Sequence, residues 1–236
     1  NMRAILLAGG YGKRLKPITD KIPKCLVKIN KTPLLEIWLK KLQNANVKEV
    51  LINTHYLNRK VENFLKKKKF KIKINLSYEK KLLGTAGTLI DNLDFYKNRD
   101  GFLIHADNFC QEPLLSLKKA HNMRPKKCII TALTFKTDDV SSCGIFKINR
   151  KNKVEKFTEK PSNKRFGNLA NGAVYLLSND FLKIAKKKFI KSKNFSEDII
   201  PKIKKNIYCY TTKKIFVDIG TKNNYMKVRY LKSKIQ

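Results

Sequence analysis

Acidic side chains are scarce in this chain: 18 Asp and Glu stand against 53 Lys and Arg, a formal net charge of +35. Arginine is scarce too, at eight of the 53 cations, the other 45 being lysines spread through every segment. Nucleic-acid recognition draws on arginine for bidentate phosphate and base contacts. A scattered lysine excess argues for solubility and general association instead, so no specific nucleic acid is expected as a partner. The run Lys66–Lys69 reads as the solvated end of a helix. No apolar run approaches the roughly 18 residues a membrane span needs, and the N-terminus enters a charged glycine loop rather than a signal-peptide core. Neither membrane insertion nor export is expected, and the predicted location is cytoplasmic. The five cysteines form no C-x-x-C pair and the three histidines no ligand cluster, which removes zinc sites and disulfide frameworks.

What is present begins at Leu6–Ile29, LLAGGYGKRLKPITDKIPKCLVKI, where a strand, a glycine run and several cations follow one another closely. Beyond it the chain alternates strand-like and amphipathic segments: RAILLAG with LLEIWLKKLQNA, EVLINT with LNRKVENFLKKK, KINLSYE with GTAGTLIDNL, GFLIHAD with PLLSLKKAH. Four strand-and-helix pairs predict parallel βαβ units. The second half is strand-rich (CIITALTF, GIFKIN, VEKFTEK, ANGAVYLLS), with helices expected over Phe181–Lys187, Ser196–Lys204 and Lys222–Lys232. The expectation is one α/β domain over 2–233: a Rossmann-like, mostly parallel sheet flanked by helices, its nucleotide-binding core at about 2–125. A smaller β-rich lobe follows at about 126–220, then a C-terminal helix at about 221–233.

Ligands of such sheets bind beyond the carboxyl ends of the strands, which places the opening stretch at a site. Glycines there let the backbone aim N–H groups at a phosphate while Arg14 and Lys24 add charge, although the same glycines suit an ordinary strand-to-helix turn. The spacing is neither G-x-G-x-x-G nor the Walker pattern. The prolines of LKPIT and IPKCLVKI predict an extended loop that fixes the approach of Lys24. Asp107, after FLIHA, and Asp218, after KIFV, end apolar strands. A carboxylate there is costly unless paired or metal-bound, and turn capping is the plainer role for each.

LAGGYGKRLKPIT followed by PKCLVKI resembles the signature loop of the sugar-1-phosphate nucleotidyltransferases. The likeness continues through EKKLLGTAGTL, LIHADNF, EKP with LANGAVYLLS, and FVDIGTKNNY, so that it covers roughly residues 2–230. The guanylyl branch, which handles mannose and manno-heptose phosphates, is the nearest in pattern. The resemblance implies attack of a sugar 1-phosphate on the α-phosphate of a nucleoside triphosphate, giving a nucleotide sugar and pyrophosphate with Mg²⁺ as cofactor. Such a product feeds nucleotide-sugar and cell-surface polysaccharide biosynthesis.

By the same resemblance, Ala8, Gly9, Gly10, Gly12, Lys13, Gly84 and Thr85 surround the nucleotide, and Arg14 grips the triphosphate. Lys24 serves the α-phosphate, and Asp107 and Asp218 share the metal ion. Glu159 takes sugar hydroxyls, Lys160 the sugar's phosphate, and Gly144, Asn171 and Gly172 line the ring pocket. Ala106 stands before Asp107 where the family usually has glycine. Glu79, five residues before Gly84, occupies the place of a base-reading glutamine in thymidylyl and uridylyl relatives. A carboxylate there matches the N1–H and N2–H donors of guanine and would repel the carbonyls of uracil, so GTP is expected ahead of UTP and CTP. Pairing of Glu79 with Lys80 or Lys81 at the surface is the alternative. The chain lacks the hexapeptide repeats that many relatives append, so a bare catalytic unit without a C-terminal β-helix is expected. Two rivals remain: an inactive regulatory subunit, which should have lost loop cations or carboxylates, and a metal-dependent glycosyltransferase, which should show D-x-D where this chain reads ADNF. Oligomeric state is not legible.

Overall fold

A computed structural model describes residues 2–231. In chain order the elements are β1 (Arg3–Leu7), α1 (Ile18–Lys21), β2 (Lys28–Ile29), β3 (Thr32–Pro33), α2 (Leu34–Asn44), β4 (Glu49–Thr54), α3 (Asn58–Lys67), β5 (Lys73–Tyr78) and α4 (Gly84–Asp91). Then come β6 (Gly101–His105), β7 (Asn108–Cys110), α5 (Leu114–Met123), β8 (Ile130–Lys136), β9 (Gly144–Ile148), β10 (Val154–Glu159) and β11 (Leu169–Leu177). The chain closes with α6 (Asn179–Lys188), α7 (Ile200–Ile203), β12 (Ile207–Thr211), β13 (Phe216–Asp218) and α8 (Lys222–Val228). It divides into two compact units: residues 1–82, 104–114 and 214–236 form the first, and 83–103 and 115–213 the second.

In the first unit, β1, β4 and β5 lie side by side and parallel, Leu7 opposite Asn53 and Asn53 opposite Ser77. This is the predicted βαβ pattern, with α2 and α3 as crossovers. β1 and β4 read as near-continuous apolar runs because parallel strands inside a sheet are covered on both faces, and Ala4, Ile5, Leu6, Val50 and Ile52 are wholly buried, while β5 is largely half-buried or exposed. Trp38 of α2 is buried as well, and its indole N–H donates to the Asn108 carbonyl (2.9 Å), which anchors the β6–β7 connection. A second core beneath the opening loop gathers Leu15, Val27, Ile29, Leu34, Phe109, Ile219 and Tyr225, and so ties the loop to β13 and α8.

The second unit is mixed. β11 runs antiparallel to β8 and β9, β9 to β10, and β12 parallel to β8. Its buried aromatics form a chain in which Phe195 packs on both Tyr175 (4.6 Å between centroids) and Phe181 (6.1 Å).

Two segments depart from expectation. The segment after the glycines is not extended: it coils through a 3-10 turn at Lys13–Leu15, α1, and a second 3-10 turn at Lys24–Leu26. Pro17 and Pro23 each stand immediately before a helical turn, where the missing N–H costs no hydrogen bond. The expected helix over 196–204 is broken into a π turn (Phe195–Ile199), α7 and a 3-10 turn (Lys204–Asn206). Pro201 has no N–H to continue a preceding helix and is tolerated only in a first turn, so the helix restarts at Ile200. α8 begins where expected, capped by the Thr221 hydroxyl, which accepts from Asn224 N–H (3.3 Å), but it ends at Val228, short of the predicted end; residues 232 and 233 of the predicted helix lie outside the described residues.

Candidate active site

In the first unit, backbone pairing decides where the acidic residues go. Asp107 follows β6 by one residue, and that residue, Ala106, donates its N–H to the Leu7 carbonyl at the end of β1 (3.0 Å). Asp218 closes β13 opposite Asn108 of β7, and Ile219 N–H donates to the Asp107 carbonyl (3.3 Å). The short ladder thus brings together two carboxylates that stand far apart in sequence.

Lys24, almost fully buried, completes the cluster: its Nζ lies 2.6 Å from Asp107 Oδ2 and 3.8 Å from Asp218 Oδ1. Burial raises the Asp107 carboxyl, but the Lys24 ammonium, assisted by His105, outweighs it and holds the group below its usual range. Burial and the charge of Asp107 together raise Asp218, against Lys24 and Arg14. Two converging hard oxygen ligands suit Mg²⁺, which keeps several waters and accepts few protein ligands. Among the described residues no group of three or more His, Cys, Asp or Glu gathers for a metal, so Asp107 and Asp218 stand as a pair.

The glycine loop passes close by. Gly12 is left-handed (φ 64°), and a Cβ there would lie 2.8 Å from Thr19 Cγ2, so both the conformation and the space require glycine. The Thr19 hydroxyl donates to the Gly12 carbonyl (2.8 Å) and holds the turn. Lys13 and Arg14 project from it exposed, Lys13 with its Nζ 5.5 Å from the centre of the Tyr11 ring. A Cβ on Gly220 would come within 2.8 Å of Arg14 Nη2 and 3.0 Å of Asp218 Oδ2, which puts Arg14 beside the carboxylate cluster.

Glu79 follows β5 directly and is buried, not solvated beside Lys80 and Lys81. Asn53 Nδ2 donates to its Oε1 (3.0 Å), and its main-chain carbonyl accepts from His55 (2.7 Å). Asn53 Oδ1 in turn accepts from Ala8 N–H (2.7 Å), and His55 Nε2 accepts from the Tyr11 hydroxyl (2.8 Å). Asn53, His55 and Tyr11 went unremarked in the sequence. The signal was there, since the apolar strand EVLINTH turns polar at its carboxyl end, where ligands of parallel sheets bind.

The second unit holds the residues expected to meet the sugar. Glu159 of β10 stands opposite Gly144 of β9, and a Cβ on Gly144 would clash with Glu159 Oε2 at 2.8 Å. That oxygen is buried without a hydrogen-bond partner. Burial raises the Glu159 carboxyl, Glu197 adds to the rise, and Lys160, 4.0 Å away, opposes it. A buried, unsatisfied acceptor calls for a donor. Asn171 is folded inward: Nδ2 donates to the Tyr175 hydroxyl (2.6 Å) and Oδ1 accepts from Ala173 N–H (3.0 Å), with Gly172 buried between. Gly84 opens α4, and the Thr85 hydroxyl accepts from Phe195 N–H (2.8 Å), so its side chain fastens the 193–195 segment. Tyr175 and Glu197 are further polar neighbours that the sequence did not single out. No described helix is long and apolar enough to cross a membrane.

Comparison with known proteins places the chain in a family. Over 225 residues the chain is 31% identical to the D-glycero-alpha-D-manno-heptose 1-phosphate guanylyltransferase of Campylobacter jejuni, covering 95% of this chain and 97% of that protein. It is 30% identical to the mannose-1-phosphate guanyltransferase of Saccharomyces cerevisiae over 98% of its own length, but spans only 65% of the yeast protein. HddC from Yersinia pseudotuberculosis, solved complexed with GMP-PN, superposes with a TM-score of 0.79 at 25% identity over 97% of this chain and 98% of that one. The family model for nucleotidyl transferases matches residues 3–234, and the chain belongs to that family.

Proposed function

We propose that this protein transfers a guanylyl group from GTP to a sugar 1-phosphate of manno configuration, releasing pyrophosphate. The observation that carries the reading is the Lys24–Asp107–Asp218 cluster beside the glycine loop and Arg14. Phosphoryl-type transfer asks a protein mainly for positioning and for neutralised phosphate oxygens. Arg14, exposed and fork-shaped, suits two triphosphate oxygens at once; Lys24 suits the α-phosphate as a point charge. Asp107 and Asp218 would hold Mg²⁺, which when bound supplies Lewis-acid stabilisation of the phosphate charge.

The reaction forms one P–O bond and breaks another. A phosphate oxygen of the sugar 1-phosphate attacks the α-phosphorus, and pyrophosphate leaves with the bonding electron pair. Lys160 takes the sugar's phosphate. Glu159, Gly144, Asn171 and Gly172 accommodate the ring, the partnerless Glu159 Oε2 accepting from a sugar hydroxyl. Guanine is favoured by the Glu79 carboxylate and by the relatives, two of which are named for guanylyl transfer. The manno configuration is carried from the substrates in those names.

The test is a screen of GTP, UTP, CTP and ATP against mannose, manno-heptose, glucose and N-acetylglucosamine 1-phosphates, read as pyrophosphate release. GTP with a manno-configured phosphate is expected to lead. A leading pair of another base or another sugar would overturn that part of the proposal.

A further inference from the structure

Asn53 holds two functional segments with one side chain. Its backbone, at the carboxyl end of β4, lies between Leu7 of β1 and Ser77 of β5. From that central place its amide reaches the glycine loop on one side, where Ala8 N–H donates to Oδ1 (2.7 Å), and Glu79 on the other, where Nδ2 donates to Oε1 (3.0 Å). The amide's orientation is set by its neighbours. A backbone N–H can only donate, so Oδ1 must face Ala8, which leaves the NH₂ group facing the carboxylate. Asn53 is only 4% exposed and Glu79 5%, so water competes little for either bond.

Two further contacts reinforce the arrangement. A Cβ on Gly9 would lie 3.1 Å from Asn53 Nδ2, so the glycine lets the loop pack against the amide. Two residues along, His55 makes a parallel strap. The Glu79 carbonyl can only accept, so His55 Nδ1 carries the proton, and Nε2 accepts from the hydroxyl of Tyr11 in the same loop. Glu79 is thus tied to the glycine loop twice, through its side chain by Asn53 and through its main chain by His55.

We propose that Asn53 is a positioning residue for base selection: it fixes the plane of the Glu79 carboxylate and sets its distance from the phosphate-binding loop. The inference rests on the reading of Glu79 as the group that selects guanine. A nucleotide spans a limited range of lengths from base to α-phosphate, so a carboxylate anchored to the loop is held in register with phosphates seated there. Groups held by buried second contacts keep their geometry, while loosely held ones lose discrimination before they lose binding.

The substitution Asn53→Asp separates the two bonds. It keeps an acceptor for Ala8 and replaces the donor to Glu79 with a like-charged oxygen. The experiment measures kcat/KM for GTP and for UTP, with a fixed sugar 1-phosphate, in wild type, Asn53→Asp, Glu79→Gln and the double variant, with thermal unfolding alongside. Each single substitution is expected to lower the GTP-to-UTP ratio about tenfold or more, and the double variant to fall no further than the lower single. If Glu79→Gln lowers the ratio while Asn53→Asp cuts both nucleotides equally, or if the two effects multiply, Asn53 is a structural residue and the inference fails while the base reading stands. If Glu79→Gln leaves the ratio unmoved, the base reading falls and the inference with it. Should Asn53→Asp not fold, Asn53→Ser, neutral and too short to make either bond, removes both at once, and a GTP-to-UTP ratio unmoved from wild type in that variant overturns the inference.

Discussion

The Lys24 ammonium and the Asp107 carboxylate form an ion pair of 2.6 Å at the carboxyl end of the first unit's parallel strands. In the proposed reaction the pair would have opposite duties, a cation for phosphate and an anion for a metal ion, and Asp218 stands 3.8 Å from the same Nζ. Charges at this spacing interact strongly in a partly buried setting, so removing any one member unbalances the other two.

Asp107→Asn and Asp218→Asn are each expected to lower kcat by about 10²–10³-fold with the fold intact, because a neutral amide is a poor ligand for a hard cation. The Mg²⁺ concentration giving half-maximal rate is expected to rise in both. Circular dichroism checks the fold and a Mg²⁺ titration of the rate checks the role. Near-normal turnover at the wild-type Mg²⁺ requirement would remove these residues from metal binding.

Arg14→Ala is expected to reduce kcat/KM for the nucleotide by about 10²-fold, and Arg14→Lys to recover only part of that loss, since a lysine cannot grip two oxygens in one plane. Steady-state kinetics with the sugar phosphate saturating separates the two. Full recovery with lysine would mean that charge alone matters at this position.

The carboxylates and the loop cations were legible in the sequence because they sit where apolar strands end, at Asp107 after FLIHA and at Asp218 after KIFV. What made them a site was not legible, since it depends on the antiparallel register that sets Asp218 opposite Asn108. The βαβ pairs of the first unit could be read from apolar runs, which parallel strands share. The break at Pro201 was missed because an amphipathic pattern runs through it, and the turns of 13–26 because each is too short to show a period. The Asn53–Glu79 bond joins residues 26 apart across neighbouring strands, so only the pairing of β4 with β5 reveals it.

Glu49 supplies a pH dependence at the other end of the same strands. Hydrogen bonds from Arg3, then Lys73, hold its carboxyl down to about 2. Because the folded value is depressed, its contribution to stability is present above the ordinary carboxylate range and lost as pH falls toward 2. The pair is partly exposed, Arg3 and Glu49 at 15% and 16%, so screening reduces the effect. Glu49→Gln is expected to lower the unfolding midpoint by about 2–4 °C at pH 7, with the difference from wild type closing as the pH approaches 2. A difference constant over that range would show that the ion pair contributes nothing.

The proposed reaction is tested most directly by following phosphorus. With GTP labelled at the α-phosphate, label is expected to appear in a nucleotide sugar only when mannose 1-phosphate or manno-heptose 1-phosphate is present. With GTP labelled at the γ-phosphate, the label is expected in pyrophosphate, in equal amount to the nucleotide sugar formed. Release of the γ label as inorganic phosphate, or α-label transfer that does not depend on the sugar 1-phosphate, would contradict nucleotidyl transfer as the chemistry of this site.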